Sequence, residues 1–253
     1  MKRTVLVALA LCASPAALAA GTSFFDDFNR LDSSRWYVSD GWTNGDHQNC
    51  SWSNKEVRIA DGFLELMFTK APGTQDRAYR CGEIQSNGFF SYGTYEARFK
   101  TPSGSGLNAA FFSYTGKPHN DIHDEIDFEV LLKDPSKVQA AGFVRGKSVK
   151  PAMIPLPLEQ DDGYVDYAFV WEPGRVRYYV DGKLGHVIEA PAPVPDQPQK
   201  LFFSLWGTET LNDWLGPFVE PPGPLTMSVD WVAYTAPGET CLFPQSITCG
   251  GLD

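Results

Sequence analysis

Hydrophobic and polar residues alternate in short runs along most of this chain, and turn residues separate the runs. Phe63-Leu64-Glu65-Leu66-Met67-Phe68 follows Asp61-Gly62, and Thr94-Tyr95-Glu96-Ala97-Arg98-Phe99-Lys100 ends at Thr101-Pro102-Ser103-Gly104. Val176-Arg177-Tyr178-Tyr179-Val180 meets Asp181-Gly182, and Lys183-Leu184 opens the return. A period of two belongs to a strand with one buried face. Asp-Gly between two such runs is a hairpin signal. With no long amphipathic helix in the pattern, many short strands at this spacing predict an all-β fold, a β-sandwich or jelly roll. Pro191 to Pro198 reads as a surface connection, and no segment has the composition of a linker between domains. One domain over residues 21–253 is expected.

The run Asp124-Glu125-Ile126-Asp127-Phe128-Glu129 alternates too, but its polar face is wholly acidic. Glu125, Asp127 and Glu129 share one side of a strand; Ile126, Phe128 and Val130 share the other. Like charges on one face repel, and strands disfavour Asp and Glu. Hydrolysis of a glycoside does need two carboxyl groups flanking the scissile bond. A solvated strand edge or a cation site is the alternative. On a flat strand the Cα atoms of Glu125 and Glu129 lie roughly 13 Å apart. Carboxyl separations of about 5–5.5 Å, which a retaining glycosidase needs, therefore require a concave or bulged strand. Asp127, shorter and between them, suits orientation. Close carboxylates also push their pKa values apart, so one can stay protonated while the other is ionised.

The N-terminus changes the picture of where the chain works. Met1-Lys2-Arg3, an apolar run and Ala17-Leu18-Ala19 describe a secretory signal peptide over residues 1–20. Without Lys2 and Arg3 the 21 basic residues become 19, against 31 acidic, a net charge of −12. Such a surface repels nucleic acid and anionic membranes, and no stretch is apolar enough to span a bilayer. A neutral polymer remains a suitable partner. Loss of Cys12 with the signal leaves Cys50, Cys81, Cys241 and Cys249. An even count in an exported chain favours disulfides, and four cysteines permit three pairings. Proximity favours Cys241 with Cys249, leaving Cys50 with Cys81. Trp171 and Trp231 sit in apolar strands as core residues, whereas Trp42, Trp206 and Trp214 stand beside polar or glycine-rich residues. An aromatic ring next to hydrogen-bonding groups suits stacking on a sugar.

The segment His123-Asp124-Glu125-Ile126-Asp127-Phe128-Glu129 resembles the active-site strand of glycoside hydrolase family 16, particularly its bacterial β-1,3-1,4-glucanases (lichenases). The resemblance extends through Ser23-Phe24-Phe25, Asn49-Cys50-Ser51-Trp52, Tyr92-Gly93-Thr94-Tyr95-Glu96 and Phe111-Phe112-Ser113-Tyr114-Thr115-Gly116. It continues in Lys133-Asp134-Pro135-Ser136-Lys137-Val138-Gln139, Trp171-Glu172-Pro173-Gly174, Asp213-Trp214-Leu215-Gly216 and Asp230-Trp231-Val232-Ala233-Tyr234. It implies a curved jelly roll of two antiparallel sheets with a sugar cleft across the concave face. It further implies an endo-acting, retaining hydrolase of a β-glucan, with Glu125 as nucleophile, Glu129 as general acid/base and Asp127 holding Glu125. Trp42, Asn44, Glu83, Trp206 and Trp214 match glucan-contacting positions. The resemblance also pairs Cys50 with Cys81. It requires no cofactor for catalysis, but associates the carbonyls of Asp27 and Gly62 and the side chain of Asp230 with a structural calcium. A monomer is expected.

Four positions depart from the lichenase pattern. His123 replaces a Trp, giving a string more similar to the plant xyloglucan transglycosylase/hydrolase branch. Ala140-Ala141-Gly142-Phe143 lacks an amide, Ser204 replaces an Asn, and Gln85 replaces an Arg. Lost hydrogen-bonding partners shift substrate discrimination. Transglycosylation and a non-catalytic carbohydrate-binding jelly roll are the alternative functions. His123 is expected to pack at the cleft floor or to hydrogen-bond a carboxylate.

Overall fold

The computed structural model describes residues 21–157, 163–239 and 241–250; the signal-peptide segment lies outside them. Sixteen strands carry the described chain. The first six are β1 (Phe24–Asp26), β2 (Trp36–Val38), β3 (Cys50–Trp52), β4 (Val57–Ala60), β5 (Phe63–Lys70) and β6 (Tyr79–Ser86). Then come β7 (Gly93–Lys100), β8 (Leu107–Thr115), β9 (Asp124–Leu131), β10 (Lys137–Val144) and β11 (Lys147–Pro155). The last five are β12 (Val165–Glu172), β13 (Arg175–Val180), β14 (Lys183–Glu189), β15 (Lys200–Gly207) and β16 (Leu225–Thr235). The expected runs at 63–68, 94–100 and 176–184 are β5, β7 and the β13–β14 hairpin, with Asp181 and Gly182 at positive φ in its turn.

Two layers result. One has the order β11-β10-β9-β8-β15-β6, with β2 on the outer edge of β6; the other runs β6-β5-β16-β7-β12-β13-β14. A single strand joins them. Tyr79 to Cys81 of β6 pair with β5, whereas Gly82 to Gln85 pair with β15. All pairings are antiparallel except that of β3 with β6. Cys50 and Cys81 are bonded across that parallel pair, and Cys241 with Cys249, as expected.

The core lies between the layers and is strongly aromatic. Phe128 of β9 meets Tyr167 and Tyr178 of the opposite sheet at ring-centroid distances of 5.4 and 5.3 Å. Phe99 stacks on Tyr167 at 4.0 Å, and Phe111 on Phe203 at 5.0 Å. Ile126, Phe128 and Val130 are fully buried here. The apolar half of the acidic strand is thus anchored in the core, which leaves its carboxylates on the outer face of the β8–β9–β15 sheet. Trp171 is buried and donates its Nε1–H to the Pro195 carbonyl, and Trp231 packs on Phe25 and Phe243; both are structural.

Candidate active site

Register fixes which side chains meet on that outer face. Glu129 lies opposite Ala110 on one side and Gln139 on the other; Ala110 faces Ser204, and Ser204 faces Glu83. The next rung toward the start of β9 runs Ala141, Asp127, Phe112, Phe202, Gln85. The third runs Phe143, Glu125, Tyr114, Lys200. Small side chains, Ala110 and Ser204, separate the two glutamates of the first rung. They leave a trough, and a cleft of about 560 Å³ follows it. Glu125, Asp127, Glu129, Glu83, Trp42, Asn44 and Trp206 all line this cleft, so seven of the eight expected catalytic and sugar-contacting residues converge. The eighth, Trp214, sits on the short helix α1 (Asn212–Leu215), with its ring 6.2 Å from that of Trp206 at the cleft's edge.

β9 is unbroken where it carries the carboxylates. Asp124 to Leu131 pair continuously with β8, and Glu125 to Glu129 with β10. The register shift lies one strand away, between Ala140 and Gly142, where β10 meets β11. Of the two routes to close carboxyl groups, a bulge within the strand is therefore excluded.

The carboxyl groups have different surroundings. Asp127 is 2% exposed. Its pKa is held well above the carboxylate range, first by burial, then by the charges of Glu125 and Glu129, and by a hydrogen bond with Glu125. Burial and the Glu125 charge push Glu129 up to about 8, against the opposing effect of Asn108, whose Nδ2 donates to Glu129 Oε1 at 3.2 Å. Both shifts favour the protonated form, and both groups share their face of β9 with Glu125. Its Oε2 lies 2.8 Å from His123 Nε2, one of the two placements expected for that histidine. Glu83, also 2% exposed, is raised to about 8 by burial, while Ser39 Oγ donates to its Oε1 at 2.6 Å. Asp124 faces away from this chemistry: its carboxylate accepts backbone N–H groups of Arg145, Asp196 and Gln197, tying two loops to the start of β9.

Several cleft residues are not apparent from sequence. Asn108 and Ser39 are buried polar residues that bond the two glutamates of the first rung. Gln139 Oε1 accepts from Trp214 Nε1 at 2.9 Å and so fixes the ring that extends the cleft. His47 places its ring edge-on to Trp206 at 5.6 Å. An amide interrupting the apolar run Leu107-Asn108-Ala109-Ala110-Phe111 is the one available signal for Asn108. The others become visible only when strands distant in sequence are brought side by side.

Comparison with known proteins agrees with this geometry. The sequence pattern described as Glycosyl hydrolases family 16 matches residues 44–233. An endo-1,3-1,4-beta-glycanase, ExoK, of Rhizobium meliloti (strain 1021) is 51% identical over 227 residues, covering 90% of this chain and 84% of that protein. A beta-glucanase of Paenibacillus macerans is 36% identical over 230 residues, covering 90% of this chain and 94% of its own length. The solved structure of Bacillus licheniformis beta-glucanase superposes with a TM-score of 0.80 at 33% identity, covering 85% of this chain and 99% of that one. With its acidic strand placed in an open cleft and these relatives matched along nearly their full length, the chain belongs to glycosyl hydrolases family 16 and is a glycoside hydrolase acting on O-glycosyl bonds.

Proposed function

We propose that this protein is an exported, endo-acting β-glucan hydrolase that retains anomeric configuration. The observation that carries the reading is the placement of Glu125 and Glu129 on the same cleft-lining face of β9, with buried Asp127 between them and the pKa of Glu129 pushed up to about 8 by burial and the Glu125 charge. A cleft open along the sheet and bordered by Trp42, Trp206 and Trp214 suits a polymer bound in mid-chain. Mixed β-1,3-1,4-glucan is the first substrate to test, because the relatives are named for that activity.

In the first step Glu129 gives its proton to the glycosidic oxygen as the bond from that oxygen to the anomeric carbon breaks. Glu125 bonds to the carbon from the opposite face. In the second step Glu129, now a carboxylate, takes a proton from water. The water oxygen bonds to the anomeric carbon, the ester bond breaks, and its electron pair returns to Glu125. Two inversions give net retention. Asp127, buried between the two glutamates with its pKa raised, holds the nucleophile through their shared hydrogen bond.

Catalysis in this scheme needs no cofactor. Of the groups expected around calcium, the Asp27 and Gly62 carbonyls and the Asp230 side chain, Asp230 Oδ2 is ion-paired with Arg98 Nε at 3.2 Å. Among the described residues no group of three or more His, Cys, Asp or Glu could hold a metal ion. No step of the scheme is assigned to calcium. Export rests on the signal-like first twenty residues, and action as a monomer is part of the same reading. No helix among the described residues is long and apolar enough to cross a membrane.

Glu125→Ala should abolish release of reducing ends from mixed-linkage glucan, and azide should restore turnover of an activated aryl glycoside by taking the nucleophile's place. Hydrolysis at the wild-type rate by that variant would overturn the assignment. Sizing the products of the wild-type reaction separates hydrolysis from transfer, since transfer yields chains longer than the substrate.

A further inference from the structure

We infer that His123 is a positioning residue for the nucleophile: its Nε2–H holds Glu125 Oε2 and favours departure of that carboxylate in the second half of the reaction. The inference rests on the retaining reading above. His123 precedes Glu125 by two residues and so shares its face, and Nε2 lies 2.8 Å from Oε2. The ring is held on two sides by the neighbours of Glu125 itself. Phe143 pairs with Glu125 from β10 and stacks on the imidazole at 5.4 Å and 13°. Tyr114 pairs with Glu125 from β8 and meets the ring edge-on at 5.2 Å. Gly146 N–H donates to the carbonyl of His123, just before β9, at 2.8 Å and ties down the backbone that carries the ring. Phe143 and Tyr114 thus hold the ring with Nε2 directed at Glu125.

Such a donor acts unequally on the two steps. Before attack it stabilises the free carboxylate, which restrains the nucleophile. After attack, Glu125 is a neutral ester. As the bond to the anomeric carbon breaks, the electron pair collects on the carboxyl group while water supplies the new oxygen and Glu129 takes the water's proton. A hydrogen bond already aimed at that oxygen strengthens as charge develops, which lowers the second barrier. His123 does not touch the sugar's reacting carbon; it works through Glu125.

The experiment compares variants on an activated aryl glycoside of a glucan oligosaccharide, for which breakdown of the ester limits kcat and formation limits kcat/KM. H123F keeps a ring to stack on Phe143 but has no donor; H123L lacks both; H123Q keeps an N–H donor. We expect H123F and H123L to lose about 10- to 100-fold in kcat while kcat/KM changes less than about threefold. A stoichiometric burst of the aryl group, and a glycosyl–enzyme adduct detectable by mass after rapid quench, should accompany that loss. H123Q should restore partition toward the wild type. Equal losses of kcat and kcat/KM in folded H123F or H123L, with no burst, would overturn the inference, as would an H123Q that behaves like H123F. Failure of the wild type to cleave any β-glycoside would instead overturn the retaining reading itself.

Discussion

In the proposed mechanism Glu129 holds a proton at the pH of catalysis, and two neighbours pull against each other to set it. Burial and the Glu125 charge raise its pKa to about 8, whereas the Asn108 amide favours the ionised form. The kcat/KM profile should therefore fall on the alkaline side as Glu129 loses its proton. Asn108→Ala removes the group that stabilises the anion. The limb should then move to higher pH, by roughly half a unit to one unit. A limb that stays in place, or moves to lower pH, would show that Asn108 does not tune the acid. The trio stands out as a candidate in the sequence alone, because folding gives little reason for an acidic face alternating with an apolar one. Asn108 is not legible in that way: its bond to Glu129 joins residues that only strand pairing makes neighbours. His123 lies between these cases, since its position two before Glu125 announces a shared face but not which atom it meets.

At the scale of elements, β9 is a bridge between core and cleft. Its unbroken register with β8 and β10 means that each apolar side chain pins the carboxylate beside it. Phe128 is flanked by Asp127 and Glu129 in sequence and wedged against Tyr167 and Tyr178. Phe128→Ala should cost about 3–5 kcal/mol of stability and should lower kcat more than the retained folded fraction explains. Parallel measurement of Tm and of kcat per folded molecule tests both halves; a variant with full kcat per folded molecule would mean that the core does not fix the trio. Periodicity makes the strands and the β13–β14 turn readable because it is a local property. The division of β6 between two sheets is only half readable. Gly82 stands where the partner changes from β5 to β15, and a Cβ there would strike the Glu56 carbonyl. A lone glycine in a strand does not say which strands pair on either side. The same limit hides the parallel β3–β6 pair, although its disulfide is foreseen.

Over the whole molecule, the cleft stores carboxyl groups in their neutral form, and that makes folding sensitive to alkali. Glu83 is raised from 4.5 to about 8 by burial, with Ser39 opposing. A folded-state pKa above the unfolded one means that the folded chain holds a proton the unfolded chain has released. The stabilisation tied to that proton is fully present below pH 4.5 and is lost as pH rises toward about 8. Across that window each such group subtracts up to about 1.4 kcal/mol per pH unit. Glu83→Gln removes one of them while keeping an oxygen to accept from Ser39 Oγ, so its effect should be nearly nil at acid pH, where Glu83 is already neutral. Between about pH 5 and pH 8 the variant should lose stability less steeply than the wild type and be the more stable of the two at the alkaline end. Denaturant unfolding at several pH values reads this directly; parallel curves for the two proteins would mean that Glu83 is ionised in the folded cleft. Glu129 shares the same direction of shift but must release and regain its proton in every cycle, so the alkaline cost it imposes is inseparable from its work as the acid.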